Sequence, residues 1–336
     1  MNTRSTVAAL ALGTVGALVA GLSYAPLGWS QSAVEEYLDK MSRAESSSYV
    51  ARRLVVYLAT PQAAAVLEER SSPQGTFVRS DAGSETTRLW FAADHVLVSD
   101  DESSISDAAP ANVGVRTEAV MQKYEVRAEP AESLLGVDVV PLELVRRTDR
   151  KLVERLWVHP ESGVVYRREL YGADGALVGL STILDMKWGE SSARMETPDG
   201  PPVKKAKQTT GSRAPAELAY GYALVKAYAI EAHGRPTEHW VYSDGMHTLS
   251  VFRTKGTLDR PDGFEKVSFE GGSVWAGPGP GTFTWEGDGH TWTLVAEETQ
   301  LAPAKLTGDF PRGGRSLPAR LGSWWARAFR WVGDRF

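Results

Sequence analysis

The chain has no cysteine, and that single absence closes several chemistries at once. Disulfides, thiolate zinc sites, a cysteine nucleophile and a lipid-anchoring lipobox cysteine are all excluded, and compartment cannot be read from redox chemistry. Histidine is scarce, with six copies in 336 residues. His239 and His247 fall on opposite sides of one turn, but no carboxylate or third ligand stands near them at the spacing a metal site needs. No metal and no cofactor is expected. The chain also lacks the G-x-S-x-G, H-E-x-x-H, phosphate-loop and EF-hand patterns. Gly277-Pro278-Gly279-Pro280-Gly281 imitates a phosphate loop, yet its prolines remove amide donors and no lysine follows. The expectation is a binding protein and not an enzyme.

What is present is an ordinary globular composition, 24% charged and 42% hydrophobic, in a chain long enough for one to three domains. The net charge is −5, but it is unevenly spread. From Lys305 to Phe336 seven Lys and Arg face Asp309 and Asp334, so the end is basic and the remainder acidic. The N-terminus carries Arg4 and then an uncharged, largely apolar run from Val7 to Ala25. At ~1.5 Å per residue this run spans roughly 28 Å, close to the thickness of bilayer hydrocarbon. Residues 1–30 therefore read as a signal peptide or a single membrane anchor, and the rest of the chain as extracytoplasmic.

An amphipathic helix follows over Ser32 to Ala44, with Val34, Tyr37, Leu38, Met41 and Ala44 on one face. Strand-like runs come next at Tyr49–Leu58, Ala64–Glu69, Gly75–Ser80, Thr86–Phe91 and His95–Ser99. Asp100 to Gly114 is acidic and proline-containing and reads as a loop; Arg116–Lys123 reads as a short helix. Strands at Tyr124–Glu129 and Val137–Val145 lead to the charged turn 146–151, read as a solvated hairpin end.

Residues 151–188 read as three antiparallel strands with turns at Pro160-Glu161-Ser162-Gly163 and Gly172-Ala173-Asp174-Gly175. On the last strand a period of two puts Val178, Leu180, Thr182, Leu184, Met186 and Trp188 on one buried face. From Gly189 to Glu217 the chain has four prolines, no aromatic and the cluster Lys204-Lys205-Ala206-Lys207, the composition of a linker. A second domain begins near Leu218. Its clearest feature is His239-Trp240-Val241-Tyr242-Ser243-Asp244-Gly245-Met246-His247-Thr248-Leu249, a strand, a turn and a strand in which Asp244-Gly245 suits a two-residue loop.

That Tyr-Ser-Asp-Gly hairpin resembles the C-terminal domain of the RseB/MucB family. The 151–188 meander resembles the LolA/LppX-like open barrels. The resemblance spans roughly residues 45–298 and is most specific at 239–252. It implies an α+β chain: an open antiparallel β half-barrel closed by helices over 32–188, a linker over 189–217, and a smaller, mostly β domain over 218–300.

In that family the barrel accepts a hydrophobic ligand, a lipid or an unfolded envelope-protein segment. The second domain contacts a membrane anti-sigma factor that controls an extracytoplasmic-function sigma factor. By extension Trp90, Trp157, Leu180, Leu184, Met186 and Trp188 are candidate cavity residues. Tyr242, Ser243, Asp244, Gly245, Met246, His247 and Thr248 are a candidate partner surface. The competing reading is a periplasmic lipid or lipoprotein carrier, which needs only the barrel. No nucleic-acid partner is expected.

The end of the chain, 301–336, reads as a basic aromatic amphipathic tail. On a helical projection Trp324, Trp325 and Trp331 share an arc with Leu317 and Phe329, while Arg320, Arg327 and Arg330 lie opposite. Arginines beside tryptophans suit a membrane interface; a partner's groove and packing on the domain are the other ways to cover such a face.

Overall fold

The computed structural model describes residues 30–311 apart from 45–46, 59–62, 74, 83–84, 92–95, 100–104, 109–113, 190–206, 210–212, 233–234, 259–262, 271, 278–280 and 299, and no side chain over 80–113. The apolar N-terminal run and the arginine–tryptophan end both lie outside the described residues. Among those described, no helix is long and apolar enough to cross a membrane.

The first helix, α1 (Gln31–Ala44), follows from its apolar spacing. Val34, Leu38 and Met41 recur at three and four residues and are buried. Each such side chain contributes about 1.5–3 kcal/mol on burial. Then come β1 (Tyr49–Tyr57), β2 (Ala63–Ser72), β3 (Gly75–Ala82), β4 (Glu85–Phe91), β5 (Val96–Ser99) and β6 (Ile105–Ala108). α2 (Thr117–Lys123) leads into β7 (Tyr124–Ala128), β8 (Glu132–Leu134), β9 (Val137–Arg146), β10 (Leu152–Val158), β11 (Val165–Tyr171) and β12 (Leu177–Trp188). These twelve strands form one antiparallel sheet in the order β6-β5-β4-β3-β2-β1-β12-β11-β10-β9-β7, with β8 on β9, and the two ends do not join. Such an open antiparallel sheet with helices on one face is the architecture that the LolA-like resemblance implied.

The long strand β12 departs from the simple alternation. Arg52 pairs with Asp185 but Arg53 pairs with Ile183, so Leu184 is an extra residue in a β-bulge. The bulge changes the phase of the strand. Before it, Gly179, Ser181 and Ile183 are buried; after it, Met186 and Trp188 lie opposite Ala51 and Tyr49 on the same side as Ile183. The single face expected for Val178, Leu180, Thr182, Leu184, Met186 and Trp188 is therefore two faces, and Leu184 is 39% exposed. A period of two cannot register an inserted residue.

The second sheet contains β13 (Lys207–Gln208), β14 (Glu217–Leu218), β15 (Tyr222–Ala232), β16 (Arg235–Ser243), β17 (Thr248–Lys255), β18 (Glu265–Phe269), β19 (Gly272–Ala276), β20 (Thr282–Gly287) and β21 (His290–Ala296). Its order is β13-β15-β16-β17-β21-β20-β19-β18, with β14 on β15. The core is aromatic: Trp240, Trp285 and Trp292 surround Phe310, and the Trp292 and Phe310 rings lie 5.3 Å apart.

Three local expectations change. Asp100 to Gly114, read as a loop, contains β6, whose residues Ile105–Ala108 pair with β5. Lys207 and Gln208, inside the stretch read as a linker, pair with β15. Leu301, Leu306 and Phe310, at the start of the stretch read as a tail, are buried in the second core, and α3 (Pro303–Leu306) carries Leu306 there.

Candidate functional site

Among the described residues, a buried cluster of charged side chains lies where the two sheets meet, and it is built on the β16–β17 turn. Ser243 pairs with Thr248, so Asp244–His247 form a four-residue loop where the sequence suggested two. The reason is local. Oδ1 of Asp244 accepts the amides of Met246 at 2.9 Å and His247 at 2.7 Å, an Asx arrangement that widens the turn. Gly245 adopts φ +98°. A Cβ there would stand 2.6 Å from Cβ of Ala119 and 2.9 Å from the amide of Val120, so only glycine lets the turn dock on α2. The amide of Arg116 donates to the Gly245 carbonyl at 2.7 Å.

The other carboxylate oxygen of Asp244 reaches across to the first sheet. Oδ2 accepts the Tyr124 hydroxyl at 2.8 Å and also pairs with the Lys123 ammonium. That ammonium binds Glu298 Oε2 at 3.1 Å and stands over the rings of Tyr222 and Tyr124 at 4.5 and 5.0 Å. Glu298 is completed by Arg146 and by the Tyr222 hydroxyl at 3.2 Å. His247 donates through Nε2 to Glu154 Oε2 at 2.8 Å, while its Nδ1 lies 3.2 Å from the Tyr124 oxygen and 3.4 Å from Asp244 Oδ2. Glu154 is in turn paired with Arg168. Gln300 adds a neutral strap, donating to the carbonyls of Leu152 and Tyr171 at 2.8 Å each.

Glu154, Asp244, His247 and Glu298 are all buried, so their charges persist only because they are paired. Burial opposes the charge on His247, but Asp244 and Glu154 outweigh it and raise its pKa to about 10. Asp244 also resists burial: His247 and Lys123 hold it well below the carboxylate range. Arg168 and His247 lower Glu154 in the same way against its desolvation. Burial, with Asp244 and Glu298 nearby, pushes the hydroxyls of Tyr124 and Tyr222 well above 10. Ligand atoms of Asp244, His247 and Glu298 lie within 4.8 Å of one another, the closeness a metal would need. The Lys123 ammonium already bridges two of these groups, so organic cations neutralise the cluster.

Sequence reasoning singled out part of this cluster, and the structure places it in the interior. Tyr242–Thr248 were candidates for a partner surface. In the structure Tyr242, Ser243, Asp244, His247 and Thr248 are buried, and Met246 packs against the apolar core of the first sheet. The turn faces the chain's own first sheet. Arg146, read as part of a solvated turn, is buried against Glu298, while Arg147 and Arg150 are exposed. The partners Lys123, Tyr124, Glu154, Arg168 and Glu298 were not singled out. Glu154 and Arg168 carried a signal, since each sits in a strand on the same face as buried Leu156 or Leu170. His239 and His247 do not meet: His239 pairs with Phe252, stacks on its ring at 4.2 Å, and is held at a pKa of about 3 by burial.

The six cavity candidates are spread over two faces. Trp157 is buried between the guanidinium groups of Arg155 and Arg167, each 4.9 Å from its ring, and its indole donates to Glu132. Trp188 packs edge-on against Tyr49 at 5.9 Å, and Met186 joins the same cluster. Leu180 lies on the opposite side of β12 with the exposed Leu184, beside the partly exposed Val56. Trp90 sits in β4 opposite Phe77 and Leu97, and its side chain is outside the described set. Arg320, Trp324, Trp325, Arg327, Arg330 and Trp331 lie outside the described residues.

No family model matches the chain, and no curated protein does. Among solved structures, MucB matches with a TM-score of 0.53 at 13% identity, covering 83% of this chain and 98% of its own. The Pseudomonas aeruginosa MucA/MucB complex matches with a TM-score of 0.50 at 15% identity, over 83% and 99%. A LolA superfamily protein from Nitrosomonas europaea matches at 10% identity over 81% and 95%, with a TM-score of 0.22 that carries no argument. The likeness covers 83% of this chain and nearly all of MucB, so the chain has a MucB-like fold.

Proposed function

We propose that this chain is an extracytoplasmic regulator that binds the outer-facing part of a membrane anti-sigma factor and responds to a hydrophobic ligand, a lipid or an unfolded envelope protein. The observation that carries this reading is the extent of the likeness: it covers both sheets and nearly all of MucB, a protein solved in complex with MucA. A lipid carrier would need only the first sheet. The buried turn gives the reading a physical form, because Tyr242–Thr248 reaches a partner only if the sheets separate or the partner binds the joined pair from outside.

Hydrophobic ligands have two places to bind on β12, on either side of the bulge. The ridge of Leu180 and Leu184 is partly open on one side; on the other, Met186 packs partly buried against the inner cluster while Trp188 lies exposed at its rim beside Tyr49. The basic end, Arg320 to Trp331, is proposed to lie on anionic membrane. Because Leu306 and Phe310 belong to the second core, its removal is tested with a chain ending at Pro311.

The deciding experiment is crosslinking of the full-length protein in its native membranes, followed by identification of the captured protein and lipid. Stoichiometric recovery of a membrane anti-sigma factor is expected. Recovery of lipid or lipoprotein alone overturns the regulatory reading and favours the carrier.

A further inference from the structure

We propose that the second sheet carries a preformed site for a primary ammonium group, and that Lys123 of α2 fills this site in cis. The inference rests on which domain builds the site and does not depend on the anti-sigma reading. Asp244 is oriented from within its own turn by the Met246 and His247 amides at 2.9 and 2.7 Å. Glu298 is oriented by the Tyr222 hydroxyl at 3.2 Å, and the Tyr222 ring lies 4.5 Å from the ammonium. The hydrogen bonds that orient the two carboxylates are made wholly within the second sheet and the residues that follow it. What the first sheet supplies is the occupant, Lys123, together with Tyr124 over its other side and Arg146 on the outer oxygen of Glu298.

Two carboxylate side chains buried to the last atom and facing the same point call for a cation between them. His247 relieves Asp244 but makes no contact with Glu298 among the described hydrogen bonds. The space therefore calls for a compact cation with several donors and two aromatic faces around it, which describes an alkylammonium. A guanidinium is planar and wider, and Arg146 already covers the remaining side of Glu298. Occupation by Lys123 makes the joined arrangement of the sheets self-liganded. A lysine-bearing segment of another chain is the class of ligand that competes for the site.

The test is made in the full chain by replacing Lys123→Ala and adding n-butylammonium chloride, with sodium chloride at equal ionic strength as reference. The variant is expected to melt on the order of 5–10 °C lower than the parent. The amine is expected to restore most of that loss saturably in the variant and to leave the parent unchanged. Equal effects of the two salts on the variant, or equal stabilisation of the parent by the amine, overturn the proposal. Should Lys123→Ala not fold, Lys123→Arg decides: it keeps the charge but is expected to lose stability, and parent-like melting overturns the claim of an ammonium site.

Discussion

Two hairpin turns in this molecule look alike and do different work. In each, a glycine with positive φ is pressed onto a helix of the first domain: Gly163 on α1, at φ +73°, and Gly245 on α2, at φ +98°. At Gly163 a Cβ would fall 2.2 Å from the backbone of Lys40, and the Lys40 ammonium donates to the Pro160 carbonyl at 2.8 Å. That turn holds a helix onto its own sheet through backbone and apolar contacts. The Gly245 turn holds one sheet onto another, and the residues beside it, Asp244 and His247, carry buried charge. The comparison teaches that turn chemistry fixes the shape of a hairpin while its role is set by what lies against it. One turn is a local fastener, and the other is the clasp between domains.

The largest effects should come from closing the glycine gaps. Gly163→Ala and Gly245→Ala each combine a disfavoured φ with a clash, and a loss of roughly 2–5 kcal/mol is expected for each. They should differ in what gives way. Dyes attached through Glu118→Cys and Lys266→Cys label cleanly because the parent has no cysteine. Energy transfer between them should fall for Gly245→Ala and hold for Gly163→Ala; equal transfer in both would erase the distinction between fastener and clasp.

Comparable in size is Asp244→Ala, which leaves Lys123 and His247 facing each other without their shared carboxylate. A loss of about 3–5 kcal/mol is expected in chemical denaturation. A loss under 1 kcal/mol would mean that the charged clasp contributes little beyond the apolar contact of Met246.

A smaller effect is the pH dependence of the clasp. The folded pKa of His247 is raised, so its contribution is full below the unfolded value of ~6.5 and is lost progressively as pH rises to about 10. Asp244 and Glu154 are lowered, so their contributions are present above ~4 and fall as the pH drops below that. Stability should therefore be greatest between roughly pH 4.5 and 6.5. His247→Gln should flatten the alkaline arm, and an unchanged slope would locate that arm in another group.

The smallest effect belongs to an ion pair outside the clasp. Arg52 and Asp185 face one another at 2.5 Å with side chains 63% and 51% exposed. Arg52→Ala should cost within ~0.5 kcal/mol, in contrast to Asp244→Ala.

The legible parts of this chain are those whose cause is local. Gly163 and Gly175 stand in the turns that the sequence assigned them, with φ of +73° and +81°, and α1 buries the face its spacing predicted. The MucB-like fold could be seen in the Tyr-Ser-Asp-Gly hairpin and the meander before it. The bulge at Leu184 was not legible, because an inserted residue leaves no mark on alternation and is defined only by the pairing of β12 with β1.

The clasp was legible only as a turn. Its bonds join residues far apart in the chain, 93 positions between Glu154 and His247 and 175 between Lys123 and Glu298. Sequence by itself determined the long strands and the glycines that shape their turns, because φ preference and side-chain alternation act over a few residues. Tertiary structure alone decided which charges are buried together, because pairing a carboxylate with an ammonium depends on desolvation and distance, and both are set only when the two sheets have closed on each other.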